Sequence, residues 1–155
     1  IGGNAVQHWV TQVDESVVRN TRDVDIIINR QDLDAVTDAL QRVGFIYRRV
    51  KGVTMFLDGP QAKARDAVHV IFAGEKVKED NPEPAPDIDK YELMKDARTL
   101  PFEALVRMKL ISFRDKDRVH LRDLISIDMV DDSWLEKLSP ELARRLQLLL
   151  DDPDG

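Results

Sequence analysis

A short run of β-branched residues constrains the fold of this chain more than any other feature. Residues 24–29 read Val-Asp-Ile-Ile-Ile-Asn and follow a polar stretch at 19–23. A run of this length and composition is typical of a buried strand. Because side chains alternate between the two faces of a strand, we expect Asp23 and Asp25 on one face and Val24, Ile26 and Ile28 on the other. The sequence therefore predicts a central strand that begins with a pair of carboxylates.

The patterns along the rest of the chain predict an α+β fold. Apolar residues spaced three and four apart indicate helices, and short β-branched or aromatic runs indicate strands. In chain order, the predicted elements are a helix at 32–43, strands at 45–50, 53–58 and 67–73, a charged, proline-rich loop or arm at 75–90, and helices at 100–114, 118–129 and 140–150. We expect a mixed sheet with helices on one side and a C-terminal helical segment.

Length and composition favour a single domain. The 155 residues divide into an expected sheet core at 1–75, the loop or arm at 76–99 and a helical part at 100–155. No apolar run approaches the roughly 20 residues of a membrane-spanning helix, so no membrane partner is expected. The chain has no cysteine, which excludes disulfides and thiolate zinc sites and favours a cytoplasmic location. It opens on Ile1 without a signal-peptide pattern, and we expect a fragment trimmed at its N-terminus.

Net charge limits the partners that the surface attracts. With a formal charge of -6, the molecule as a whole repels nucleic acid, so a polynucleotide would need a local basic patch. Arg48, Arg49 and Lys51 form such a cluster at the predicted hairpin. The cluster fits either a polynucleotide acceptor or a solvated, protected sheet edge.

The pair of aspartates is chemically suited to a divalent metal ion. Two neighbouring carboxylates repel each other unless a cation lies between them. Mg²⁺ takes oxygen ligands and binds through one or two carboxylates together with substrate phosphates. Taken alone, Asp23 and Asp25 fit two solvated aspartates at a strand end better than a metal site, so the metal interpretation depends on the residues around them.

Separated motifs give the chain a family resemblance. They are, in order, Gly2-Gly3-Asn4-Ala5, then Arg19, Thr21 and Asp23-Val24-Asp25-Ile26, and later the segments 105–110 and 114–124. This order resembles the nucleotidyltransferase superfamily, in particular its small bacterial members related to abortive-infection and type IV toxin systems. The similarity extends from residue 2 to about residue 125.

The resemblance implies a nucleotidyltransferase-like sheet and assigns roles to particular residues. It implies that the glycine pair opens a helix whose N-terminus faces a triphosphate, and that Asp23 and Asp25 are catalytic and hold Mg²⁺ or Mn²⁺. The implied nucleotide-binding residues are Gly2, Gly3, Asn4, Thr21, Lys109 and Lys116. Glycine allows close backbone approach, and helix N-terminal amides favour anions, which agrees with these roles. The alternative for Lys109 is a surface lysine extending past its neighbours.

The strand at 67–73 departs from the family pattern. Family members commonly carry a third carboxylate there, whereas this chain has His69. Imidazole accepts protons near pH 7 but is a poorer Mg²⁺ ligand than a carboxylate. His69 is therefore a substituted catalytic base, a sign of lost catalysis or a packed histidine. Glu75, just past the strand, is a candidate replacement carboxylate.

Three functions follow from these observations. The first is a metal-dependent enzyme that transfers a nucleoside monophosphate from a nucleoside triphosphate to a hydroxyl on RNA or protein. The second is a catalytically degenerate binding module of the same fold, such as a toxin-antitoxin component with an antitoxin or other protein partner. The third is a structural domain whose aspartate pair is accidental.

Overall fold

The computed structural model has an α+β architecture and describes residues 1–14, 24–64, 67–94 and 97–153. The helices are α1 Gly3–Thr11, α2 Leu33–Arg42, α3 Phe102–Ser112, α4 Asp115–Ser126 and α5 Pro140–Asp151. The strands are β1 Val24–Ile28, β2 Phe45–Val50, β3 Val53–Asp58, β4 Val68–Phe72, β5 Glu92–Met94 and β6 Ala97–Thr99. Short 3₁₀ segments cover Arg30–Asp32 and Asp132–Lys137. The predicted α+β class is confirmed.

Among the described residues, the main sheet is mixed and has four strands in the order β1-β4-β3-β2. β1 is therefore at the edge of this sheet and is only partly buried, so the prediction of a buried central strand is wrong. β1 pairs in parallel with β4, and Asp25 lies opposite His69 in this register. β3 pairs antiparallel with both β4 and β2. Because β1 and β4 run in the same direction, their N-terminal ends lie side by side. This brings Asp25 and His69, the second residue of each strand, together.

The β2–β3 hairpin follows from the two residues at its tip. Lys51 and Gly52 have positive φ values of 49° and 83°. A two-residue turn with both central residues in this region matches the twist of the strands that flank it. The predicted hairpin at 45–50 and 53–58 is confirmed with its boundaries.

The proline-rich segment folds back onto the residues that follow β4 and onto α3, and it does not project as an arm. Gly74 donates to the Ala85 carbonyl at 3.0 Å, and Ala85 donates to the Glu75 carbonyl at 2.9 Å. Ala85 and Asn81 are both buried. The prediction of a loop over 76–99 is wrong at its C-terminal end, because β5 and β6 form a second, two-stranded sheet there.

Most of the buried apolar residues lie between the helices. The core residues shared by α1, α3, α4 and α5 are Ala5, Val6, Val10, Leu105, Val106, Leu110, Ile111, Leu121, Leu124, Leu142, Leu146 and Leu149, with Val130 from the turn after α4. In α5 the three leucines recur at the spacing of one helix face, which is why this face is buried. Within the described ranges, no helix has the length and apolar character needed to cross a bilayer.

Two helix boundaries differ from the sequence prediction. The sequence predicts a helix over 100–114, but α3 begins at Phe102, after Pro101 as its N-cap, and ends at Ser112. α4 begins at Asp115, earlier than the expected Arg118, because the Asp117 carboxylate accepts a hydrogen bond from the Arg114 backbone N–H at 3.3 Å and so caps the first turn. It ends at Ser126, before Asp128 takes up a left-handed backbone with φ 57°.

Candidate functional site

Asp25 lies at the start of β1, beside the histidine of the neighbouring strand. The Nδ1 atom of His69 is 3.9 Å from Oδ1 of Asp25. Both side chains are largely but not fully buried, with exposed fractions of 24% for His69 and 17% for Asp25. The separation is longer than a hydrogen bond, so the two groups face each other without direct bonding.

The carboxylate of Asp25 is also packed against the N-terminus of α1. Gly2 precedes this helix with φ 78° and ψ -154°, a conformation that is essentially confined to glycine. A Cβ atom on Gly2 would lie 2.2 Å from Oδ2 of Asp25. The Ile1 nitrogen donates to the Asp25 backbone carbonyl at 3.1 Å. Only glycine therefore allows the chain to pass this closely over the carboxylate.

A buried ion pair lies close to this carboxylate. Nζ of Lys109 donates to Oδ1 of Asp117 at 3.0 Å, and both side chains are almost fully buried. Nε of Arg114 donates to Oδ2 of Asp117 at 2.7 Å. Burial alone raises the pKa of Asp117, but the hydrogen bonds from Arg114 and the charge of Lys109 outweigh it and hold this pKa to about 2. Burial lowers the pKa of Lys109, although Asp117 acts in the opposite direction.

Asp25 and Lys109 line one cavity, here called the Asp25 cavity. Its volume is about 90 Å³, and Gly2, Asn81 and Asp117 also line it. Small-molecule sites usually enclose about 300–1,000 Å³. A nucleoside triphosphate therefore fits here only if lining side chains move or if most of the ligand lies outside the cavity.

The structure brings some of the predicted residues together and separates others. Gly3 begins α1, and Asn4 is in its first turn. Lys109 is buried, so the alternative prediction that it is a surface lysine is wrong. Lys116 is exposed in the first turn of α4 and is not among the described residues that line the Asp25 cavity. Asp23 and Thr21 lie outside the described residues.

Glu75 does not replace a third carboxylate. It follows the far end of β4 and forms an ion pair with Arg30, which follows the far end of β1, at 2.5 Å. Asp25 and His69 are near the opposite ends of these parallel strands. Glu75 and Asp25 are therefore at opposite ends of this pair of strands.

The donor set around Asp25 fits a hard divalent cation only in part. Asp25 offers one carboxylate, and His69 offers an imidazole nitrogen on the same side. Among residues 1–14, 24–64, 67–94 and 97–153, no three His, Asp or Glu side chains converge in a way that could hold a metal ion. Mg²⁺ binds through one or two carboxylates plus substrate phosphates, and among the described residues Asp25 supplies one such carboxylate.

Sequence reasoning missed the partner of Lys109 and the buried contact between the proline-rich segment and α3. Asp117 lies eight positions after Lys109 on a different helix, and Asn81 donates to the Ile111 carbonyl at 3.4 Å from the proline-rich segment. The available signal was an acidic residue three positions after Arg114, at the start of a helix. That spacing indicates a cap but does not reveal a partner on α3.

Comparison of the chain with models of known protein families, with curated protein sequences and with solved structures finds no match. The nucleotidyltransferase resemblance therefore stays a prediction that depends on the motifs and on the geometry around Asp25.

Proposed function

We propose that this chain is a metal-dependent nucleotidyltransferase that transfers a nucleoside monophosphate from a nucleoside triphosphate to a hydroxyl on RNA or protein. One observation carries the proposal: the carboxylate of Asp25 lies against the glycine turn that opens α1, with only 2.2 Å between its Oδ2 and the position of a Cβ on Gly2. The N-terminus of a helix attracts anions, and a carboxylate at that place repels a phosphate unless a cation neutralises both. Helix terminus and carboxylate together thus favour a metal-bound phosphate.

The residues that the sequence predicts for this site have distinct roles in the proposal. Asp25, with Asp23, would hold Mg²⁺ or Mn²⁺, which neutralises phosphate charge when bound. Gly2, Gly3, Asn4 and Thr21 would contact the phosphates, as the resemblance implies. Lys109 adds positive potential while its ammonium stays bonded to Asp117. Catalysis by such a site is mainly positioning and electrostatic stabilisation.

In the proposed reaction, a histidine accepts the proton that the acceptor hydroxyl loses. The oxygen of the acceptor hydroxyl forms a bond to the α-phosphorus, and the bond from this phosphorus to the pyrophosphate leaving group breaks. The hydroxyl proton goes to His69, which faces the carboxylate of Asp25 from the adjacent strand. Imidazole is the side-chain group that most often accepts a proton in steps of this kind.

The test is transfer of label from α-³²P-labelled ATP, GTP, CTP and UTP, each with Mg²⁺ or Mn²⁺, to total RNA and to total cell protein. We expect labelling of one acceptor class by wild type and by Asp58→Ala, an exposed strand-end aspartate on β3, but not by Asp25→Ala. Absence of label from every nucleotide, or equal labelling by Asp25→Ala, would contradict the proposal.

A second candidate is a binding module of the same fold without turnover, such as a toxin-antitoxin component. Two features favour it: His69 occupies the position where the resemblance implies a carboxylate, and the Lys109 ammonium is already paired with Asp117. Such a module would bind a protein partner and transfer no label in the same assay. Co-purification of a stable partner with the inactive protein would support this candidate over the enzyme.

A further inference from the structure

A second cavity, called here the β1–β6 cavity, lies between the first strand of the main sheet and the small sheet. Its volume is about 320 Å³, inside the range of small-molecule sites. Among the described lining residues, it shares only Ile1 with the Asp25 cavity. It is therefore a separate space, and it is several times larger than the one beside Asp25.

The walls of the β1–β6 cavity are mostly apolar. Ile26 and Ile27 of β1, Ile88 of the proline-rich segment and Leu100 after β6 line it. Aliphatic walls of this kind favour the apolar body of a ligand, because its burial removes apolar surface from water.

The charged side chains among the described lining residues are both basic. They are Lys90 and Arg98, and no acidic residue lines the cavity among those that the structure describes. The Arg98 guanidinium carbon lies 4.5 Å from the centre of the Tyr91 ring, which orients its planar face. Neither Lys90 nor Arg98 forms an ion pair with another described residue. In a chain with net charge -6, two uncompensated cations at one cavity favour an anionic ligand.

A buried hydroxyl adds a second polar contact. Thr99 also lines the cavity and is only 4% exposed. Its Oγ1 atom has no hydrogen-bond partner among the described residues. Such a group is costly to leave unsatisfied, so a ligand that bonds to it gains affinity. Arg98 is exposed and Thr99 is buried, so the anionic group belongs at the mouth of the cavity and a second polar atom belongs inside.

We propose that the β1–β6 cavity binds a small hydroxylated aromatic acid. Its carboxylate pairs with Arg98, whose forked donors match a carboxylate in two-point geometry. Its flat ring lies between the isoleucine walls and Tyr91, and its hydroxyl bonds to Oγ1 of Thr99. This site is independent of nucleotidyl transfer at Asp25.

Calorimetric titration with three matched probes tests the site: 4-hydroxyphenylacetate, phenylacetate, which lacks the hydroxyl, and 4-hydroxyphenethyl alcohol, which lacks the charge. We expect 4-hydroxyphenylacetate to bind wild type about tenfold more tightly than either analogue. In Thr99→Val the preference for the hydroxyl should vanish, and in Thr99→Ser it should persist. In Arg98→Gln the preference for the acid over the alcohol should vanish.

Two controls make the outcome specific. Arg49→Gln, an exposed arginine on β2, and Asp25→Ala should both bind the probes as wild type does. The circular dichroism spectrum of each variant establishes that it is folded. No binding of 4-hydroxyphenylacetate to wild type, or unchanged preferences in Thr99→Val and Arg98→Gln, would overturn the proposal without bearing on nucleotidyl transfer.

Discussion

Replacing Asp117 by asparagine should be among the most destabilising single changes in this chain. Asp117 is fully buried and accepts hydrogen bonds from Lys109 at 3.0 Å and from Arg114 at 2.7 Å. An asparagine side chain would keep the shape of the aspartate and lose its charge, so the Lys109 ammonium would remain buried beside a neutral amide. Removing one partner of a buried pair costs about 3–5 kcal/mol, against a total stability of about 5–15 kcal/mol for a domain.

Equilibrium unfolding in urea at neutral pH measures this loss. The double variant Lys109→Met with Asp117→Leu is the control, because it removes both charges and should recover most of the stability. The loss in Asp117→Asn should shrink at alkaline pH, since burial already lowers the pKa of Lys109 and a neutral amine needs no counterion. A change of less than about 1 kcal/mol in the single variant would refute the buried-pair reasoning.

The same pair predicts the response of the protein to acid. The pKa of Asp117 is about 2 in the folded chain and 3.8 ordinarily, which corresponds to about 2 kcal/mol. Because the folded value is the lower one, this stabilisation is present above about pH 4 and is lost as the pH falls through about 2. The stability gap between wild type and Asp117→Asn should narrow across that window. A gap that is constant from neutral to acid pH would contradict the assignment.

Three further changes test other parts of the structure. Gly2→Ala should lose at least about 1 kcal/mol more than Gly52→Ala, because both have positive φ but only the first places a Cβ against another side chain; equal losses in urea unfolding would contradict this. His69→Asp should tighten Mn²⁺ binding in a calorimetric titration relative to His69→Asn, since it restores a carboxylate; unchanged affinity would argue against a metal at this position. Leu146→Ala should lose about 2–5 kcal/mol and Leu148→Ala far less, because Leu146 is fully buried and Leu148 is 50% exposed.

Much of the fold was predictable because local patterns determined it. The hairpin at 45–58 follows from two strand-like runs around Lys51-Gly52, and α5 follows from its leucine spacing. The strands β5 and β6 have three residues each, too few for a period to be visible, so the sequence predicts a loop in their place. Short strands of this kind depend on pairing with each other, which a linear pattern does not encode.

The candidate site was predictable in its motifs but not in its distances. Asp25 and Gly2 are identifiable from the sequence, and the structure brings them into contact. The environment of Lys109 was not predictable, because its partner Asp117 comes from another helix and its burial depends on how α3 and α4 pack. The β1–β6 cavity was missed for the same reason, since its lining comes from separate parts of the chain.

The most direct test of the nucleotide site is a calorimetric titration of the protein with ATP, GTP, CTP and UTP, each with and without Mg²⁺. We predict that at least one nucleotide binds wild type and Asp58→Ala only when Mg²⁺ is present, and that Asp25→Ala abolishes this binding. Absence of binding by all four nucleotides, or binding that is unchanged in Asp25→Ala, would contradict a metal-nucleotide site at Asp25.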